Sequence, residues 1–563
     1  MKRTNRGWRA GAWLLGFAAL TLNITRADSF YWDANPLTEG AQNGAGTWNS
    51  TGSNWLDSAA ENAPWLNTVD HEAIFGSGAD AAGNITVSGP INGGALTFTR
   101  DGYTFSGGKL AFESANNNFG INMKAASPAT VTFNNQQLNT RRVFYFTPNQ
   151  SIVLNTTAAL GDNQYFLYAY GSVYAYVEAM AGVPDRAAVG RTATLEYRGG
   201  VYISNAVHYN IGDAANETAG TVVTSATLAS RGWTSVGDNA EGLLTVKGGL
   251  LTGNNNGFSG INIGNGANGN GRLIVSGGTI TTVNGNNTWG QIIVGSAKRG
   301  ELNARGGLVN SSGTAIVVAG GAGATGILTV SGSAEVRARG VQFGADNVNF
   351  TASATAALTV SGGLLRLGAD GLRLANNTTG LTPSILLTGG TVAADADWSS
   401  ALNMTLGGGV TFDGGANTIT LSGVLDGAGG LAVSGGTLLL GGANTYTGDV
   451  TVSAGVLKLD DSGALGSVGG LFVNSGAAVD LNYDGTAVID RLLFNQLTVS
   501  GLNFNQAYTV AELNNLLSVS VFTGNGALMV IPEPATWTLL LTGTALSLGL
   551  IMMKRVDEKT PGI

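Results

Sequence analysis

The sequence predicts an all-β fold: a right-handed parallel β-helix, or β-solenoid, with an N-terminal Trp-rich cap and a C-terminal transmembrane helix. Three observations predict it. The first is a returning phrase, G-I-L-T-V-S-G-S at 326–333. Its relatives are G-L-L-T-V-K-G-G (242–249), G-R-L-I-V-S-G-G (271–278), G-E-L-N-A-R-G-G (300–307), A-A-L-T-V-S-G-G (356–363), P-S-I-L-L-T-G-G (383–390) and G-G-L-A-V-S-G-G (429–436). Their start-to-start steps are 29, 29, 26, 30, 27 and 46 residues. Each copy alternates apolar with small or polar residues, the period of a strand, and ends on glycines suited to positive-φ turns. The second is glycine content: 87 of 563 residues, about twice the usual share of ~7%. The third is a hydrophobic content of 44%, enough for a buried core. A repeat of this length means stacked units, none of which buries its apolar face alone.

Residues 1–27 read as a secretory signal. Lys2, Arg3, Arg6 and Arg9 precede the apolar run G-A-W-L-L-G-F-A-A-L-T-L, and T-R-A places cleavage after Ala27. Twelve apolar residues are too few to span ~30 Å of hydrocarbon. The 28–115 segment is the expected N-terminal β cap, marked by Trp32, Trp48, Trp55 and Trp65. These tryptophans either close the open end of the stack or form an aromatic platform for sugars; closure is the favoured reading. Strand-like stretches follow at 84–89, 95–99 and 103–108.

Residues 116–200 form an irregular, tyrosine-rich β segment. In Y-F-L-Y-A-Y-G-S-V-Y-A-Y-V (165–177), Tyr168, Tyr170, Tyr174 and Tyr176 fall on one strand face at period two. They either line a groove for polysaccharide or a protein partner, or pack on the stack. They are the candidate ligand-binding residues outside the repeats. The repeats occupy 201–466. A second phrase precedes several copies: N-I-G-D (210–213), S-V-G-D (235–238), N-I-G-N (262–265) and I-V-G-S (293–296). Each period then holds two or three short strands and leaves no room for a helix. About a dozen coils at ~4.8 Å each would give a rod on the order of 60 Å.

Residues 467–530 read as a C-terminal β cap. L-T-V-S-G-L-N-F (497–504) is strand-like, and F-T-G-N-G-A-L-M-V-I (522–531) reads as a last strand pair. Thr509 and Glu512 have capping-box spacing ahead of L-N-N-L-L, which predicts a short helix. The 531–555 stretch joins I-P-E-P-A-T-W to eighteen uncharged residues (536–553), then Lys554 and Arg555; residues 556–563 are a tail. Eighteen residues at 1.5 Å rise suffice to cross a bilayer, with the basic pair on the cytoplasmic side.

Charge narrows the partners. Between the two ends lie 20 basic and 33 acidic residues, a net charge of −13. An acidic body argues against nucleic acid and against bulk electrostatic binding of acidic polymers. Absence of cysteine excludes a disulfide framework and a thiolate metal site.

Two stretches carry family resemblances. G-G-A-N-T-Y-T-G (441–448), T-V-S-A-G-V-L-K-L (451–459) and A-L-G (464–466), within 421–466, resemble the autotransporter-associated β-strand repeat. That resemblance implies a passenger-type β-helix on a bacterial surface. Pro532, Glu533 and Pro534, followed by the apolar stretch and Lys554 and Arg555, resemble the PEP-CTERM sorting signal. It implies processing by an exosortase, an inner-membrane enzyme, in bacteria that make exopolysaccharide. The expected localisation is therefore an inner-membrane-anchored precursor, then the cell surface or extracellular matrix of a Gram-negative bacterium.

Catalytic signals are sparse. The two histidines, His71 and His208, lie 137 positions apart and match no metal or triad spacing. Acidic groups at Asp395/Asp397, Asp460/Asp461 and 237–242 sit in turn-like contexts, where Asp and Asn stabilise local bends. No calcium-binding nonapeptide occurs, and N-G-A-N-G-N-G (265–271) lacks the lysine of a phosphate loop. The expectation is a non-enzymatic surface or matrix protein without cofactor or metal, serving adhesion or exopolysaccharide and biofilm. The alternative is a polysaccharide-cleaving β-helix enzyme, a lyase or glycosidase, which would need grouped carboxylates and an Arg in one cleft.

Overall fold

The computed structural model describes residues 28–531, apart from 113–120, 126–128, 141–143, 147–149, 156–168, 171–172, 180, 183–186, 190–192, 198–200, 205–207, 213–217, 231, 254–259, 283–289, 352 and 468. The signal segment with Ala27, Tyr168, the sorting residues Pro532, Glu533, Pro534, Lys554 and Arg555, and the 536–553 stretch lie outside them. Among the described residues, no helix is long and apolar enough to cross a membrane.

The chain is all-β and winds as a parallel solenoid. Alternation puts every second side chain inside, and each coil hydrogen-bonds to the next along three faces. The first face carries the G-x-L-x-V phrase: Leu244 pairs with Leu273, then Leu302, Leu328, Leu358 and Ile385. The second face follows the glycine pair, with Leu251, Ile280, Val309, Val336 and Leu365 in register. The third precedes the next phrase, with Val236, Ile263, Val294, Val318 and Phe343 in register. All of these side chains are buried. One first-face column joins fifteen residues from Gly46 to Leu406, which at ~4.8 Å per step is a stack of ~67 Å. The ladders therefore cross the 28–115 and 116–200 segments as well as the repeats.

Glycine makes the corners. Gly237, Gly264 and Gly295 end the third face with φ of +67°, +70° and +74°, and Ala319 occupies the equivalent position at +65°. The second glycine of the K-G-G, S-G-G and R-G-G turns is likewise left-handed at Gly249, Gly278, Gly307 and Gly363. The glycine opening each phrase is needed for a different reason. A Cβ at Gly300 would lie 2.1 Å from the Gly295 nitrogen, so the backbone of the adjoining corner fills that space.

The coils shorten after Leu387. Successive first-face partners are then 19 and 21 residues apart (Leu387 to Leu406, Met404 to Leu425), against 26–30 in the four coils from Leu273 to Ile385. This displaces the seventh copy of the phrase. Val433 of 429–436 pairs with Phe412, itself paired with Val392, which is the second face and not the first. Its 46-residue step is two short coils plus a change of face.

Both ends are closed. At the N-terminal end, Trp55–Leu56 and Asn62–Ala63 run antiparallel beside Ser29–Trp32, over a packed aromatic cluster. Trp32, Trp48 and Trp55 are fully buried and Trp65 is 1% exposed, so they offer no platform to sugars. Trp48 sits within 4.9–5.5 Å of the Trp55, Trp65 and Phe75 rings, and the cluster continues through Phe105 to Phe133. At the C-terminal end the predicted helix is present at Val510–Leu517, with both capping-box hydrogen bonds between Thr509 and Glu512. Two expectations there need correction. Only Leu497–Thr498 of 497–504 is a strand, antiparallel to Leu492–Phe494, because Gly501 turns the chain at φ +84°. Phe522–Gly524 and Ala527–Val530 do not pair with each other: the first extends the third face beside Val479, the second joins Thr486–Ile489 and Ala507–Thr509.

Candidate functional site

The predicted tyrosine stripe is divided. Ala169–Tyr170 pairs with Phe144–Phe146 in the sheet that begins at Ser29–Trp32, whereas Val173–Ala179 pairs with Gln150–Asn155 in the long ladder. Tyr170 is therefore not on the same strand as Tyr174 and Tyr176. Those two share register positions with Ser151 and Val153 on one side and Thr194 and Glu196 on the other. Ala175 and Val177 take the column of buried Val131 and Phe133. Tyr168 lies outside the described residues.

The acidic groups resolve into structural partners. Asp397 accepts the Thr418 amide at 2.7 Å, and Asp461 accepts the Gly463 amide at 2.7 Å. Asp238, Asn265 and Ser296 form a side-chain ladder along the corner after the third face. Asp395 receives Arg337 and Arg366 at 3.0 and 3.3 Å, and Glu335 flanks the same two guanidinium groups. Arg337 and Arg366 are stacked one coil apart, so the two acids neutralise a pair of like charges. Partly exposed pairs of this kind are worth only ~0–1 kcal/mol each. His71 packs edge-on against Phe30 and Trp65 in the N-terminal cluster. The described part of His208 is its backbone in His208–Ile211.

One open groove of about 700 Å³ stands out on the third face. Its floor is an outward-facing column in which Ile293, Val317, Gln342 and Arg373 pair coil by coil. Facing away from the core, Val317 is nonetheless only 4% exposed and Gln342 7%, because the flanking corners rise above the strands. One wall is the corner after the left-handed residues, with Ser296, Gly320 and Asp346. The other is the corner between second and third faces, with Thr314, Arg339 and Asp370. This second wall is braced: Thr314 Oγ1 donates to the Gly290 carbonyl at 3.0 Å and lies 3.0 Å from Ser311 Oγ.

The polar groups of the groove are unequally satisfied. Arg339 pairs with Asp370 at 3.3 Å. Asp346 Oδ1 accepts the Asn376 amide at 2.8 Å, and Gln342 Nε2 donates to the Gly344 carbonyl at 3.2 Å. Arg373 has no partner among the described residues. One coil before Ile293 in the same column, Asn262 Oδ1 is buried without a hydrogen-bond partner among the described residues. An arrangement of this kind offers donors, acceptors and one open guanidinium along a shallow apolar strip.

Sequence reading did not nominate this site. Its floor residues are 24–31 positions apart, and register alone brings them together. A usable signal existed: in a chain with 11% charged residues, Arg337, Arg339, Arg366, Asp370, Arg373 and Asp395 crowd into one stretch. Among the described residues, no three His, Asp or Glu side chains converge to hold a metal.

The adhesin BmaC autotransporter of Brucella suis biovar 1 (strain 1330) is similar to this chain, 35% identical over 115 residues. The match covers 19% of this chain and 3% of the adhesin, so the chain spans a small fraction of that protein. No protein-family model matches the chain, and no solved structure matches it. The similarity is thus to a local stretch of an autotransporter adhesin.

Proposed function

We propose that the chain is an exported, non-enzymatic bacterial surface or extracellular-matrix rod that serves adhesion by holding extracellular polysaccharide. The observation that carries the reading is the local similarity to an autotransporter adhesin in a chain built as a parallel solenoid. A rigid stack presents outward side chains at fixed spacing, which suits contact with an extended polymer. Ala27 would mark the end of its leader. Sorting would run through Pro532, Glu533 and Pro534, with an exosortase-type enzyme as processing partner and the 536–553 helix as transient inner-membrane anchor.

The polysaccharide-cleaving alternative asks for three carboxylates and an Arg converging in a cleft. The groove brings two carboxylates, Asp346 and Asp370, with one of them tied to Arg339. The binding reading needs neither proton transfer nor a nucleophile, and the polar walls and apolar floor of the groove support it. A glycan-binding screen with the purified chain tests it, run beside the Tyr174→Ala/Tyr176→Ala double variant. The reading predicts retention of extracellular polysaccharide; a chain that retains none contradicts it. Release of shortened oligosaccharides from bound polymer would instead favour the enzyme.

A further inference from the structure

The third-face groove has a chemical bias that narrows the polysaccharide, an argument that rests on the binding reading above. Four floor residues stacked one per coil cover about 14 Å at ~4.8 Å per step. Along that length the floor changes from apolar at Ile293 and Val317, through the amide of Gln342, to the cation of Arg373. The apolar half suits the C–H face of a sugar ring. The other charged side chains of the groove have partners: Arg339 has Asp370, and Asp346 holds a backbone amide. On the second face the arginines Arg337 and Arg366 are likewise matched by Glu335 and Asp395. Arg373 is the exception, and a guanidinium fork is built for a planar carboxylate.

From this pattern we infer that the groove binds an oligosaccharide carrying a uronic-acid carboxylate, with the acid group on Arg373 and neutral rings over Val317 and Ile293. Asp346 and Asp370 on the walls accept hydroxyl groups and repel densely charged chains. A polyphosphate backbone is therefore disfavoured, in keeping with the net charge of −13 carried by the 28–531 body. Recognition rests on one charge rather than on a charged surface, so affinity should depend only weakly on salt.

The test titrates the full purified chain with tetrasaccharides that carry one galacturonate, mannuronate or glucuronate residue beside neutral hexoses, and with the same tetrasaccharides after carboxyl reduction. Arg373→Gln should weaken uronate binding tenfold or more, the loss expected for a hydrogen bond to a charged group. Arg373→Lys should keep part of the affinity. Binding of the carboxyl-reduced sugars should not change, and circular dichroism should confirm that the variants are folded. Equal uronate affinity in all three proteins would overturn the assignment. So would failure of the wild-type chain to bind any uronate while it still retains extracellular polysaccharide, a result that leaves the broader reading intact. Failure to retain either would remove both.

Discussion

Asn444 carries the sharpest energetic prediction. It belongs to the N-T-Y-T-G part of the 441–448 motif, where the first-face ladder has run out after Leu425–Asp426. Its side chain, 7% exposed, replaces that ladder: Oδ1 accepts the Leu425 amide at 2.7 Å and Nδ2 donates to the Ala464 carbonyl at 2.6 Å. One amide thus stitches the coil before to the coil after. In Asn444→Ala both backbone groups lose their partner, and a buried unsatisfied group costs about 1–3 kcal/mol. The loss should be about 2–6 kcal/mol, felt locally because a stack is coupled mainly between neighbours. Hydrogen exchange followed by mass spectrometry reads it directly: the Leu425 amide should exchange about thirtyfold faster or more, at 1.4 kcal/mol per tenfold. Asn482→Ala removes an exposed Asn482–Asp460 contact of 2.7 Å and should move stability by less than about 0.5 kcal/mol. A Leu425 amide that stays at the wild-type rate in Asn444→Ala would refute the reasoning.

Three other outcomes follow from the same geometry. The Tyr446 hydroxyl is buried without a partner, and burial pushes its phenol far above the usual range; Tyr446→Phe should leave the urea midpoint unchanged or raise stability by up to about 1 kcal/mol, and a clear loss would contradict it. Gly300→Ala should destabilise by about 2 kcal/mol through backbone overlap, whereas Gly409→Ala, with open space around its Cβ, should stay within about 0.5 kcal/mol in the same denaturation experiment. Glu512 is held below the ordinary carboxylate range by hydrogen bonds from the Thr509 amide and hydroxyl. Its contribution is present above the pKa of the unfolded chain and is lost as pH falls through the lower folded value. Thr509 should therefore lose exchange protection only in that acid window, and Glu512→Gln should abolish the pH dependence.

Much of the fold is legible in the residues, for physical reasons. Alternation and left-handed glycines are local, so six of the seven phrase copies lie on one face as their spacing implies. Thr509 and Glu512 announce their helix by a contact three residues long. The misplaced seventh copy has the right residues, but coil length decides which face they reach, and that length drops after Leu387 through nothing visible inside the phrase. The tyrosine stripe fails similarly: period two is sound within Val173–Ala179, yet Ala169–Tyr170 belongs to a different sheet, which assigns Tyr170 to another surface. Phe522–Gly524 and Ala527–Val530 invite pairing by proximity, but each finds a better edge in an earlier strand. The groove was least legible, because its floor exists only once four coils are stacked.

Where the rod resides is the property on which export and surface display most directly depend. A chain tagged just after Ala27 and again at the C-terminus, expressed in its own cells, should show the first tag to antibody on intact cells. The C-terminal tag should part from it during processing beyond Pro534. A first tag reached only after permeabilisation would contradict the account.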